Sequence, residues 1–411
     1  MWDTAKRCTS ITSFGKRFYW IPGSKKPYID GKISTSGTAH RTNSTVVDIV
    51  AQEGLEWIRV SSKTEKRIIW DLAKAGWVGG SSDEDSEEES DDEDDPEGLL
   101  KQIEALKKAS LATRVRYQHP KIRLVLHRIK TVPDSKEVGQ VLQKIRNLGV
   151  TIQSSDDIPT TPEPVNKVLH SMVADRFASF SDTLNIDCTV LLAFASDLSH
   201  GRVEREDWHN KAISRQIEME AQDQLLPSSL WPACGNKPMV CTEAAAGRMQ
   251  EIVSFIGTPT EQKRTSIMLD NDPSSPLTPQ QRVAEFQKLS FYKVPIDWQL
   301  PIRIIDFDLA DPDVDLPSVA DKVADSLTAI NRSVFLFGWA THQTTISSNR
   351  AVAKEVEATI EENRDDEELR GPDIWLCPTS RSLVGKEKHR RGFSEAGCVD
   401  SGDGDGGGVD S

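Results

Sequence analysis

The sequence predicts an α/β protein: a smaller α/β domain followed by a larger three-layer α/β/α domain with a mainly parallel sheet. Three observations predict it. Beyond residue 165, short apolar β-like runs alternate with helical periodicity: TLNI at 183–186, PMVC at 238–241, IRII at 302–305, VFLFGWA at 334–340 and IWLC at 374–377. That alternation is the pattern of βα units on a parallel sheet. Residues 45–153 read ββα–α–β–α–β, a second and smaller α/β pattern. The Pro- and Ser/Thr-rich stretch SSDDIPTTPEP, at 154–164, parts the two.

Residues 1–44 are rich in Ser, Thr, Gly and Lys and read as irregular. Val46–Val50 and Leu55–Val60 then read as strands. In TEKRIIWDLAKAGW, Ile68, Ile69, Leu72 and Ala73 share one helical face and Gly76 suits a helix stop. An acidic insert at about 80–96 follows. Pro96 and Glu97 suit a first helical turn, Leu99, Leu100, Ile103 and Leu106 form the stripe, and Pro120 is the expected end. KIRLVLHRI alternates as a strand, KEVGQVLQKIRNLGV is a helix closed by Gly149, and VTIQ is a short strand. A linker at 154–168 leads to the larger domain at 169–390, with helices expected at 189–199, 206–222, 243–256, 259–269 and 349–363. Long loops are expected at 270–296 and 306–318, and a disordered tail at 391–411.

The net charge of −14 is unevenly spread. DEDSEEESDDEDD, at 83–95, carries eleven acids and no base, and the tail from 399 carries four more. The other acids nearly balance the 50 Lys and Arg. Such segments are expected to be disordered. Ser86 and Ser90 each have an acid three residues on, the pattern of acidophilic kinase sites. Residues 98–150 hold twelve Lys or Arg against three Asp or Glu. This basic block is a candidate surface for RNA or another polyanion, a partner for the acidic run, or a solvated helix face. The six Cys form no C-x-x-C pair, and the start lacks the apolar core of a signal peptide. No apolar run approaches the roughly 20 residues needed to span a membrane. These features predict an intracellular protein, cytoplasmic or nuclear.

Acids follow three predicted strands: Asp187 after TLNI, Glu243 after PMVC-Thr, and Asp306 and Asp308 after IRII. In open α/β sheets ligands bind beyond the carboxyl ends of the strands. Carboxylates gathered there suit Mg²⁺ or Mn²⁺, hard cations that take oxygen ligands and activate water. The competing reading is helix capping, since Asp favours the N-cap and Glu the first turn. Spacing alone leaves both open. Arg381 and Lys386, in SRSLVGKEK, are candidate phosphate contacts, though no P-loop glycine pattern accompanies them.

LNIDCTVLLAFASDLSH resembles the opening of PIN-like nuclease domains: a strand, an Asp, a Thr two residues later, then an apolar helix. LWPACGNKPMVCTEAAAGRMQEIVSFIGTPTEQKRT, FLFGWATHQTTISSN and GPDIWLCPTSRSLVGKEK, with VDIVAQEGLEWIRVSSKTEKRIIWDLAKAGW and ATRVRYQHPKIRLVLHRI upstream, resemble the fungal branch of an uncharacterised eukaryotic family, domain of unknown function 1308. The C-terminal half of that family is placed among PIN-like domains. The resemblance implies a PIN-like larger domain in which Asp187 matches the first acid, Thr189 the hydroxyl after it and Glu243 the second acid. Where PIN nucleases carry a further acid, this chain has Thr341, His342, Ser347 and Asn349, of which Thr341 and Asn349, together with Thr189, are candidate substrate contacts. Two functions follow from the resemblance. One is a Mg- or Mn-dependent ribonuclease using Asp187 and Glu243. The other is a catalytically inactive PIN-like module that binds RNA or protein.

Overall fold

The computed structural model describes residues 1–20, 43–78, 98–159, 161, 163–173, 175–201, 203–269 and 277–385. The acidic insert with Ser86 and Ser90, Lys386 and the acidic tail lie outside the described residues.

The first unit is built on a mixed sheet whose strands lie in chain order: β1 (Ser13–Trp20), β2 (Asn43–Ala51), β3 (Glu56–Ser61), β4 (Lys121–Leu126) and β5 (Thr151–Gln153). β1, β2 and β3 run antiparallel, and β3, β4 and β5 parallel. Period-two alternation sends Trp57, Ile122 and Leu124 to one face and Ile58 and Val125 to the other. The first face is covered by α2 (Glu65–Val78), α3 (Leu99–Leu111) and α4 (Lys136–Asn147), through Ile68, Ile103, Leu106, Val138 and Leu142. The other meets a smaller cluster with Ala5 of α1 (Trp2–Ala5) and Met172 of α5 (Val165–Met172).

Three expectations change here. Residues 13–20 form β1 instead of irregular chain. Most of β1 is exposed or half-buried, so its hydrophobic signal is weak and its pairing with β2, from Ser13↔Val50 to Trp20↔Asn43, defines it. α5 begins inside the expected linker and packs on the first sheet. α3 ends at Leu111, well before Pro120. The chain then makes a tight turn closed by Val115 and Gln118, whose amides bond each other's carbonyls. Arg116 and Tyr117 form its two middle positions at φ 48° and 64°. An Arg-Tyr pair carries no sequence signal for such a turn, and each left-handed non-glycine residue costs about 1–3 kcal/mol.

The turn docks the first unit onto the second. Tyr117 enters the second core and lies against Gly371, where a Cβ would collide with its ring. Beside it Arg114 pairs with Glu361 at 2.9 Å and with Glu367, and Glu361 also pairs with Arg364 at 2.8 Å.

The second unit is all-parallel, in the order β10-β9-β6-β7-β8. Its strands are β6 (Leu184–Ile186), β7 (Met239–Thr242), β8 (Arg303–Ile305), β9 (Thr344–Ser347) and β10 (Ile374–Leu376). Every residue of β6, β7 and β9 is buried, as expected for a sheet covered on both faces in a three-layer α/β fold. The helices are α6 (Cys188–Ala195), α7 (Lys211–Gln222), α8 (Trp231–Cys234), α9 (Glu243–Ile256), α10 (Pro259–Leu269), α11 (Pro279–Gln287), α12 (Val319–Ser326), α13 (Ala329–Ala340) and α14 (Arg350–Asn363).

VFLFGWA, expected as a strand, is the buried end of α13. A short apolar run has no periodicity to separate a core strand from a core helix. The strand is the next segment, TTIS. α11 likewise occupies part of the expected loop at 270–296, started by a Thr278–Gln281 capping box and Pro279.

Candidate functional site

The strand order places a topological switch between β6 and β9. From β6 the chain moves one way to β7 and β8, and later returns to the other side for β9 and β10. Because the strands are parallel, their carboxyl ends share one edge, and a switch point on that edge is where open α/β sheets generally form a ligand crevice. Asp187 follows β6 directly and Ser347 ends β9 beside it.

Asp187 is 1% exposed and occupies the N-cap position of α6, yet its side chain makes no cap hydrogen bond. Its Oδ2 instead accepts from Thr189 Oγ1 and from Ser347 Oγ, both at 2.6 Å. Each hydroxyl is itself fixed by a backbone amide. Ser348 N donates to Thr189 Oγ1 at 3.2 Å and Asn349 N to Ser347 Oγ at 3.0 Å. A hydroxyl that accepts from an amide has its own proton free for the carboxylate. Burial, the dominant influence, pushes the Asp187 carboxyl up. The Ser347 and Thr189 hydroxyls and the nearby amides of Cys188 and Thr189 pull it back toward the charged form.

Glu243 is the first residue of α9 and lies exposed, one residue past the Thr242 cap whose hydroxyl accepts from Ala245 N at 3.4 Å. It follows the strand next to β6, so both predicted carboxylates stand on the same edge of the sheet. Asp306 follows β8, one strand further out. Among the described residues no group of three or more His, Cys, Asp or Glu could hold a metal ion.

The remaining candidates divide. Asn349 borders the site and caps α14 by accepting from Val352 N at 3.3 Å. Thr341 is a correction. It lies at the C-cap of α13, ahead of the amino end of β9 and thus at the opposite edge of the sheet, with its hydroxyl on Phe337 O at 2.7 Å. The cause is the misplaced strand: moving it from 334–340 to 344–347 brings Ser347 to the crevice in place of Thr341. Arg381 is buried in an ion pair with Glu220. It is 2% exposed, its Nε donates to Glu220 Oε2 at 2.8 Å and its Nη2 lies 2.8 Å from the same oxygen.

Ser347, only one of several polar groups of its region in the sequence, is the one that the structure brings onto Asp187. Its signal is a short strand ending in Ser-Ser-Asn directly before a helix. The segment after β10 was unforeseen as a brace. Cys377 N donates to Ser347 O at 2.8 Å, Val384 N to Glu261 Oε1 at 3.1 Å, and Ser196 Oγ to Ser382 O at 2.6 Å. A second buried cluster lies below it, where Asp197 pairs with Arg264 at 2.8 Å and accepts from Thr258 and Thr260.

Residues 184–291 match the sequence model of a family described as "Protein of unknown function (DUF1308)". The match supports membership of that family. It opens on Leu184, the first residue of β6, and takes in Asp187, Thr189 and Glu243. Ser347 lies outside the matched stretch. No solved structure matches the chain.

Proposed function

We propose that the carboxyl edge of the second sheet is a divalent-cation site acting on RNA, with Asp187 and Glu243 as ligands to Mg²⁺ or Mn²⁺ in a PIN-like domain. One observation carries the reading: a buried carboxylate at the switch point, aimed by two hydroxyls that amides hold in place. A bound ion of this kind supplies Lewis acidity toward a phosphoryl oxygen. Thr189 and Ser347 keep Asp187 oriented and favour its charged form. The amino ends of α9 and α14 meet the same edge, where a phosphate group is favoured. Oxygen donors of this type fit Mg²⁺ and Mn²⁺ better than softer metals.

A second reading is a non-catalytic RNA- or protein-binding module of the same fold. It is favoured by the lack of a three-ligand group among the described residues. Mn²⁺ titration followed by thermal unfolding, and cleavage of single-stranded RNA by wild type, Asp187→Asn and Glu243→Gln, separate the two. The nuclease reading requires Mn²⁺-dependent cleavage that is abolished in both variants. Mn²⁺ binding with no cleavage supports the module, and neither binding nor cleavage removes the cation site.

A further inference from the structure

We infer that the cleft between the two units is the binding track for a single-stranded RNA backbone that reaches the Asp187 edge. The ligand class rests on the function proposed above; the track itself rests on the cleft. Its volume is about 630 Å³ and its walls include Arg116, Arg350, Lys354 and Arg370, against the carboxylates of Glu357 and Asp373. Asp373 is turned away onto Thr344 Oγ1 at 2.6 Å. Arg370 is exposed.

Two residues of the cleft wall, Arg350 and Leu376, are chain neighbours of residues that hold the site. Arg350 opens α14 one residue after Asn349, whose amide fixes Ser347. Leu376, on the cleft wall, precedes Cys377, whose amide bonds the Ser347 carbonyl. The strained turn at 115–118 points the same way. Two-residue turns with both residues at positive φ favour Asn-Gly, yet this one holds Arg116 and Tyr117. Insertion into the second core accounts for Tyr117. Arg116 has a half-exposed side chain that reaches across to Ser179 Oγ at 3.0 Å and pairs with Glu53. Left-handed strain held at a residue that points into a cleft is a mark of a functional side chain.

The test is fluorescence anisotropy of a labelled single-stranded oligouridylate over a salt series. For a single strand, the salt slope falls by about 0.7 for every phosphate that a cationic side chain no longer neutralises. Arg350→Ala with Arg370→Ala is expected to weaken binding several-fold and lower the slope by about 1.4. The control pair Lys211→Ala with Lys263→Ala, equal in charge and on other helices, is expected to change little. Arg116→Gly relieves the left-handed residue but gives up the pair with Glu53 and the bond to Ser179, so it is expected to weaken RNA binding with little net change in melting temperature. Equal weakening by the cleft and control pairs, or none by either, overturns the track. Mn²⁺-dependent cleavage of the same RNA with cleft-independent binding sinks the track and leaves the site. Cleft-dependent binding without cleavage sinks the nuclease and leaves the track. No binding by the wild type sinks both.

Discussion

Replacing Arg381 with Ala tests whether the segment after β10 braces the fold or contacts substrate. Arg381 and Glu220 are 2% and 4% exposed and meet through two nitrogens on one carboxylate oxygen. Further guanidinium bonds go to Asp223 O at 3.3 Å and Thr379 Oγ1 at 3.2 Å. Removing one member of a buried pair leaves the other charge uncompensated, at a cost of about 3–5 kcal/mol. For a unit of this size that is roughly 6–20 °C in unfolding temperature. The loss should depend on pH. Burial raises the Glu220 carboxyl above its usual range, and Arg381 is the main influence pulling it down. An acid raised in the folded state loses stability as pH climbs from its unfolded value through the folded one. Without Arg381 the carboxyl rises further, so the deficit of the variant should widen as pH climbs above the ordinary carboxylate range. Scanning calorimetry at several pH values measures this. Replacing both residues by Met and Leu of similar volume should recover most of the loss, since apolar substitutes for buried pairs are often neutral. A loss within about 0.5 kcal/mol, as for an ordinary surface residue, or a deficit constant across pH, would refute the brace.

Asp187→Asn is expected to raise the unfolding temperature of the metal-free protein, more at neutral than at acidic pH, because burial raises the Asp187 carboxyl and that penalty is present above its folded-state value. The same variant should lose any Mn²⁺-induced shift in thermal unfolding, and an equal shift in variant and wild type would count against ligation by Asp187. Gly338→Ala should destabilise by about 1–3 kcal/mol in denaturant titration, because its Cβ would meet Thr345 Oγ1 where α13 crosses β9. Ser86 and Ser90 are expected to carry phosphate in protein from its native cell, each adding about −1.5 to −2 charge; mass spectrometry finding both bare removes the idea. Deleting residues 82–95 should tighten RNA binding to the basic block 98–150 at low salt more than at moderate salt, and equal affinities at both would show that the acidic run masks nothing.

The legible parts of this chain are those where a local signal and the tertiary role agree. α9 and α10 appear at 243–256 and 259–269 as the sequence implies, because Thr242 caps one and Pro259 opens the other. β6 and the start of α6 are legible for the same reason. The errors fall where the signal is shared between states or supplied by a partner. The apolar run at 334–340 suits a strand as well as a core helix, and resolving it as α13 moves the next strand end, and with it the site, by several residues. β1 depends on its partner strand, and the 115–118 turn depends on a core for Tyr117 to enter. Arg381 reads as a candidate phosphate contact in the sequence because nothing near it marks Glu220, far away in the chain, as its partner.

Asp187 itself joins the two readings that spacing leaves open. It stands where a helix N-cap stands, but its carboxylate makes no cap bond and is drawn to β9. A cap needs one acceptor, and Asn serves there about as well as Asp. What surrounds Asp187 asks for more. Thr189 and Ser347 each have a single proton, each accepts from an amide, and both protons converge on the same oxygen. Two donors on one oxygen favour a carboxylate over a carboxylic acid. Burial works in the opposite sense and is the larger influence in the isolated chain. A positive charge at the crevice would tip that opposition toward the carboxylate, and a cation or a basic substrate-binding group beside Asp187 is the simplest source of one. The hydroxyl pair therefore fixes which oxygen of the Asp187 carboxylate carries the negative charge whenever the group is ionised.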